Sequence, residues 1–188
     1  MPGYRFIEWN EKNLDVLSSR YAEQAYRVRK YAFVSDYARA YVLYHCGGIY
    51  LDTDVEVLKP FDELLGYRSF WGFEAGNFIA SSTIGVVPRH ESIKSYLEQY
   101  YSREFVRSDG TFDMTTNVQV LTRFWQQRGL ILNNEKQIIG DGDLFLPQSY
   151  FSPLDYRIGM MNKCEETYAI HHYHKTWLGP WARVKGRV

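Results

Sequence analysis

Cysteine is scarce in this chain: Cys46 and Cys164 are the only two among 188 residues. Two thiols cannot build a disulfide framework, and in a chain of this size such a pair more often stays reduced, which points to a cytoplasmic setting. Net charge is missing as well. Twenty-two Lys and Arg balance 22 Asp and Glu, so no overall basic field gathers nucleic acid or acidic membrane, and no nucleic-acid partner is expected. No apolar run approaches the roughly 20 residues that span a bilayer, and no secretory leader pattern is visible. The expectation is a soluble, cytoplasmic protein without a transmembrane segment, with peripheral contact at the inner face of the membrane left open. Internal repeats and low-complexity tracts are also absent, which excludes a solenoid. The length suits one domain over residues 1–188, large enough to bury about 70% of its unfolded surface. Aromatic residues, by contrast, are abundant at 17%, with 16 tyrosines; such faces suit sugar rings, although core packing accounts for most of them.

Residues 31–60 organise the chain. Val34, Tyr37, Ala38, Tyr41 and His45 recur at the three-and-four spacing of an amphipathic helix. Ser35 and Asp36 lie near its start, where side-chain oxygens accept unpaired backbone N–H groups. Gly47 and Gly48 end it, because glycine enters the left-handed conformation without a Cβ clash. Residues 49–57 then alternate as a strand does. Ile49, Leu51, Thr53, Val55 and Val57 face one way, and Tyr50, Asp52, Asp54 and Glu56 the other.

Two carboxylates two residues apart on a strand share a face at a separation of roughly 6.5 Å. That is too far to share a proton, yet close enough for one to hold a divalent cation while the other holds a neighbouring ligand group. Hard oxygen ligands suit Mg2+, Mn2+ or Ca2+ better than zinc. The bland alternative, an acidic strand edge in water, fits poorly with the apolar flanks and the preceding helix. Rival Asp-x-Asp chemistries fail on particular residues. A haloacid-dehalogenase-type phosphatase needs Thr or Val two positions further on, where Glu56 stands. An EF-hand loop opening at Asp52 needs glycine at its sixth position, where Val57 stands. A glycosidase needs carboxyls acting across a glycoside from opposing sides rather than from one strand.

The runs FVSDYAR (33–39) and GGIYLDTDVEVL (47–58) resemble the DXD-motif glycosyltransferases of the capsular-polysaccharide and initiating-mannosyltransferase type. They are more distantly similar to the glucosylating domain of large clostridial toxins. EWN (8–10), TTN (115–117) and IHHYHKTW (170–177) extend the resemblance over almost the whole chain. It implies a GT-A type fold, a Rossmann-like mixed α/β sheet flanked by helices. The chain begins only a few residues before EWN, so the resemblance implies that the usual first N-terminal strand is lacking. It also implies a Mn2+- or Mg2+-dependent hexosyltransferase that retains anomeric configuration, with a UDP- or GDP-sugar donor and a glycan or lipid-linked sugar acceptor in polysaccharide biosynthesis. Carried over by motif, Asp36, Arg39 and Asp52 are the catalytic set that reaches the donor sugar. Asp54 and His172 hold the metal, with His171 the runner-up at that position. Tyr50, Asn117, His171 and Trp177 line the substrate site, and Lys175 or Thr176 approaches the diphosphate. An inactive or sugar-binding remnant of the same fold is the alternative.

Elsewhere the pattern predicts a short strand at residues 4–9 and a polar turn at 10–13. A helix is expected at about 14–31, a short helix near residue 65, and strands at 70–74 and 77–87. The small residues of that last strand suit the close approach of a ligand, with Asn77 a candidate contact. Helices are predicted at 90–101 and from 114 to about 128, the second capped by Thr116 or Asn117. Residues 140–143 read as a turn, and 144–147 and 150–153 as edge segments that tolerate proline.

Overall fold

A computed structural model describes residues 3–15 and 18–173. Its helices are α1 (Arg20–Arg27), α2 (Tyr31–Cys46), α3 (Glu91–Tyr101) and α4 (Asn117–Gln126). The strands before α3 are β1 (Gly48–Leu51), β2 (Val55–Val57), β3 (Ser69–Glu74), β4 (Phe78–Ile79) and β5 (Thr83–Val86). Those after α4 are β6 (Gln137–Ile139), β7 (Asp143–Leu146), β8 (Leu154–Asp155), β9 (Met160–Met161) and β10 (Ala169–His171).

The central sheet runs β1-β5-β3-β7-β6, with β4 paired to β3. Strands β3 and β7 are parallel and the other neighbours antiparallel. This is the mixed α/β sheet flanked by helices that the sequence predicts. Both faces are covered, and so the central strands read as continuous apolar runs rather than as alternation. Trp71, Phe73, Ile84 and Phe145 pack with side chains of all four helices. On the other face Phe70, Leu144 and Leu146 meet Phe61, Phe151 and Tyr168. Gly85 is small for a packing reason: a Cβ there would overlap the Phe70 ring. A buried polar network ties α3 to β3 and β7. Ser69 Oγ donates to Asp143, Trp71 Nε1 donates to Ser69 Oγ at 2.7 Å, and His90 Nε2 lies 3.1 Å from Asp143 Oδ1. His90 Nδ1 accepts the Ser92 N–H at 3.2 Å and so caps α3.

Several boundaries differ from the sequence reading. Residues 4–9 form no strand; Phe6 and Ile7 are exposed and have no ladder to join. The helix expected over 14–31 shrinks to α1, and Arg29 at φ 60° turns the chain before α2. Lys30 is the residue before α2, so Ser35 lies inside the helix and its hydroxyl donates to the Ala32 carbonyl at 2.7 Å. The strand expected over 49–57 breaks into β1 and β2. The turn between them is closed by the Val55 N–H donating to the Asp52 carbonyl at 3.1 Å. Its apolar face survives the break: Ile49, Leu51, Val55 and Val57 all pack on the Phe61–Phe70 cluster. The strand expected over 77–87 divides in the same way into β4 and β5. Residues 144–147 are no edge segment, because β7 lies between β3 and β6 and is buried along its length.

Candidate active site

Helix α2 carries Asp36 and Arg39 on one face, one turn apart. Arg39 is 3% exposed, and a buried guanidinium is costly unless anions surround it. They do. Its Nη2 donates to Asp52 Oδ1 at 2.9 Å and to the Tyr50 hydroxyl at 3.3 Å, and Nη1 lies 3.5 Å from Asp36 Oδ1. The guanidinium also sits 4.7 Å above the Tyr50 ring. The Tyr50 hydroxyl in turn donates to Asp52 Oδ1 at 2.8 Å. Burial works against the Arg39 charge, yet Asp52, Tyr50 and Asp36 together raise its pKa above the ordinary value. Asp52 Oδ1 is therefore fixed from two sides.

The break between β1 and β2 changes how the two aspartates are presented. The Asp52 N–H donates to the Ser82 carbonyl at 2.9 Å, which ends the β1–β5 ladder. Asp52 and Asp54 consequently stand on a turn rather than along a strand face. The pairing of β10 with β2 (Val57 with Ala169, Val55 with His171) then returns the distant chain to that turn, and the His172 N–H donates to the Asp54 carbonyl at 3.0 Å. Side-chain atoms of Asp52, Asp54 and His171 converge within 4.8 Å of one another, and His171 Nε2 lies 3.3 Å from Asp54 Oδ1. All three are sheltered, at 23%, 18% and 13% side-chain exposure. Burial pushes His171 below the usual imidazole range, so its neutral, lone-pair-bearing form is favoured.

That placement brings the runner-up His171, and not the first choice His172, to the two aspartates. Across the ladder His171 shares a face with Val55, whereas His172 is on the opposite face, where its Nε2 meets Glu56 Oε2 at 3.0 Å. Alternation along β10 thus turns His172 away from the aspartates, and the runner-up His171 joins them. Trp177, Lys175 and Thr176 lie outside the described residues.

Asn117, the first residue of α4, is 5% exposed, its Oδ1 accepts from the Tyr100 hydroxyl at 3.3 Å, and its carboxamide lies close enough to Asp36 to favour the ionised carboxylate. Thr116 holds it there through a capping box with Gln119. Asp36 lies deep among Arg39, Asn117 and the Tyr96–Tyr100 pair, and burial raises its pKa to about 6. The structure therefore brings Asp36, Arg39, Tyr50, Asp52 and Asn117 into one contiguous group. Asn77 is elsewhere, its amide donating to the Leu132 carbonyl at 2.9 Å.

One acidic residue escaped the sequence reading. Glu74 ends β3, is 6% exposed, and lies within electrostatic reach of Asp52, Arg157 and Arg39. Burial, reinforced by the Asp52 charge, raises its pKa to about 7. The signal available was a carboxylate closing an otherwise apolar run, FWGFE.

Residues 1–71 match the family described as the glycosyltransferase sugar-binding region containing a DXD motif. The inositol phosphoceramide mannosyltransferase 1 of Schizosaccharomyces pombe is 34% identical over 76 residues, which cover 36% of this chain and 23% of that protein. The mannosyl phosphorylinositol ceramide synthase CSH1 of Saccharomyces cerevisiae is 29% identical over 53% of this chain and 30% of its own length. The mouse lactosylceramide 4-alpha-galactosyltransferase is 26% identical over 87% of this chain and 47% of its own. The chain thus spans less than half the length of the curated relatives it matches. No solved structure gives a significant match.

Proposed function

We propose that this chain carries the donor site of a metal-dependent glycosyltransferase, moving a hexose from a UDP- or GDP-sugar to a lipid-linked sugar acceptor with retention of configuration. The observation that carries the reading is the convergence of Asp52, Asp54 and His171 beside a buried Arg39. Two carboxylates and a neutral imidazole within 4.8 Å form a donor set that one divalent cation spans with small side-chain adjustment. A Mn2+ or Mg2+ ion held there would supply Lewis-acid neutralisation of the leaving diphosphate.

The remaining roles fall to the chain itself. Arg39 and Tyr50 hold Asp52 in one rotamer, so its free oxygen is preorganised and need not be ordered during reaction. Asp36, Arg39 and Asn117 form a polar floor that orients donor-sugar hydroxyls, and Asp36 and Asp52 stabilise positive charge developing at the anomeric carbon. The DXD-family match and the mannosyl- and galactosyltransferase relatives support sugar transfer. The ceramide-linked names of those relatives favour a lipid-linked acceptor over a capsular polysaccharide.

Calorimetric titration of UDP- and GDP-sugars with and without Mn2+ tests the reading. Metal-dependent binding followed by release of the free sugar supports it. Sugar binding indifferent to metal would instead identify a sugar-binding remnant.

A further inference from the structure

Strands β8 and β9 form a small hairpin whose exposed side chains are mostly apolar. Ile158 is 66% exposed, Met160 53%, Met161 47% and Tyr156 39%. Apolar side chains scattered singly over a surface are ordinary, but four within six residues of one hairpin are a patch. Two details make the hairpin a firm support for them. Asp155 accepts a two-pronged pair from Arg157, at 3.0 Å to Nε and 2.7 Å to Nη2, and the Arg157 N–H donates to the same carboxylate at 3.0 Å. Gly159, at φ 71°, turns the chain back toward β9. The Asp155–Arg157 pair also leaves the tip electrically neutral, which suits neither an acidic nor a basic protein partner.

A chain of ring contacts joins the hairpin to the candidate cation group. Tyr156 packs on Tyr173 with centroids 4.5 Å apart, and Tyr173 packs on His171 at 3.8 Å. On its other side Arg157 abuts Gly76, close to the 40% exposed Phe78. The apolar tip therefore stands beside the Asp52–Asp54–His171 group. No helix among the described residues is long and apolar enough to cross a membrane.

We propose that the β8–β9 hairpin docks on a neutral lipid bilayer, Ile158, Met160 and Met161 entering the headgroup–acyl boundary while Tyr156 remains at the polar interface. Docking in this way presents the head group of a lipid-linked acceptor to the Asp52–Asp54–His171 group, an inference that rests on the acceptor class proposed above. Apolar side chains with an aromatic at their polar margin are the composition that partitions into this zone, and partitioning strengthens with the apolar area buried. A neutral tip further implies binding to zwitterionic vesicles that changes little with salt.

The test is sedimentation of the full chain with phosphatidylcholine vesicles, alone and doped with a neutral glycosphingolipid, at low and high salt. Wild type is expected to sediment with both vesicle types. Ile158→Ser combined with Met160→Ser should lower the partition coefficient about a hundredfold, some tenfold per side chain removed. Metal-dependent hydrolysis of a nucleotide sugar in solution should stay at the wild-type rate, because neither residue belongs to the donor site. Should the double variant fail to fold, the single variant Ile158→Trp provides the second reading: tighter sedimentation and a blue-shifted emission on adding vesicles. Wild type remaining in the supernatant would overturn the proposal. So would equal sedimentation of the variants, or a loss of self-association on serine substitution without any vesicle effect, which would assign the patch to a second copy of the chain. Failure of hydrolysis alongside intact vesicle binding would count against the transferase reading and leave the docking surface standing.

Discussion

Replacing Glu74 with Gln should stabilise the protein, by an amount that grows as pH rises from about 4.5 to about 7. The carboxyl is 6% exposed, and its pKa rises from 4.5 to about 7 through burial first and the Asp52 charge second. A difference of about 2.5 units corresponds to roughly 3 kcal/mol between the two protonation states. The sign follows from proton binding. Between the unfolded and folded pKa values the folded chain keeps a proton that the unfolded chain has released, so stability falls as pH rises through that window. Below about pH 4.5 both states are protonated and no cost is present; above about pH 7 the cost is complete. Gln has nearly the same shape and never ionises. At pH 8 the Glu74→Gln protein should therefore be more stable by about 2–3 kcal/mol, a rise in Tm of roughly 5–10 °C for a chain of this length. At pH 4.5 the two proteins should unfold together. Paired urea titrations of both proteins at each pH measure the difference directly, and Asp36, whose pKa burial also raises, is common to both and cancels. A difference that does not change with pH, or a destabilised variant at pH 8, would refute the reasoning, because it would mean that Arg157 and Arg39 already compensate the ionised carboxylate.

Asp54→Asn should abolish metal-stimulated turnover while leaving the circular dichroism spectrum and Tm close to wild type; near-normal activity would remove Asp54 from the cation site. His171→Ala should weaken Mn2+ binding at least about tenfold by calorimetry, since removing a ligand costs no less than disturbing its support, whereas His172→Ala should leave the affinity within about twofold. Arg39→Met should destabilise by about 3 kcal/mol in urea unfolding, because Asp36 and Asp52 lose their shared buried cation. Asp143→Ala should cost about 2–4 kcal/mol by the same measurement, as Ser69 and His90 lose their acceptor in a buried site.

What could be read from the sequence was what depends on local pattern. The helix over 31–46 and its stop at Gly47 are written in adjacent residues, and the structure keeps both, with Gly47 at φ 64°. The burial of Ile93, Tyr96, Leu97 and Tyr100 follows from spacing alone. Asp36 and Arg39 are neighbours on any helix that contains them. Features that depend on distant partners were not legible. Residues 4–9 have strand composition but no ladder, and composition does not supply a partner. Residues 49–57 alternate without interruption, yet the pairing with β5 ends at Asp52 opposite Ser82, thirty positions away, and the turn closed by the Val55 N–H on the Asp52 carbonyl breaks the strand there. Glu74 carries only a weak local mark, a carboxylate closing the apolar run FWGFE; its environment is made by Asp52, Arg157 and Arg39.

The histidine assignment shows why register matters more than motif at such a site. His171 and His172 are adjacent and chemically identical, and both sit in the segment that the resemblance marks. What separates them is one hydrogen-bonded ladder: Ala169 opposite Val57 and His171 opposite Val55. A strand slipped by one residue would exchange every side chain between faces, placing His172 with the aspartates and His171 with Glu56. Register here is set by burial. Ala169 is fully buried against the Phe61–Tyr168 cluster, and the slipped pairing would force the larger Ile170 or Tyr168 into that space. The packing of an alanine two residues before the site thus decides which imidazole reaches Asp52 and Asp54. The convergence of Asp52, Asp54 and His171 is in this sense a product of the hydrophobic cluster beneath it rather than of the motif alone.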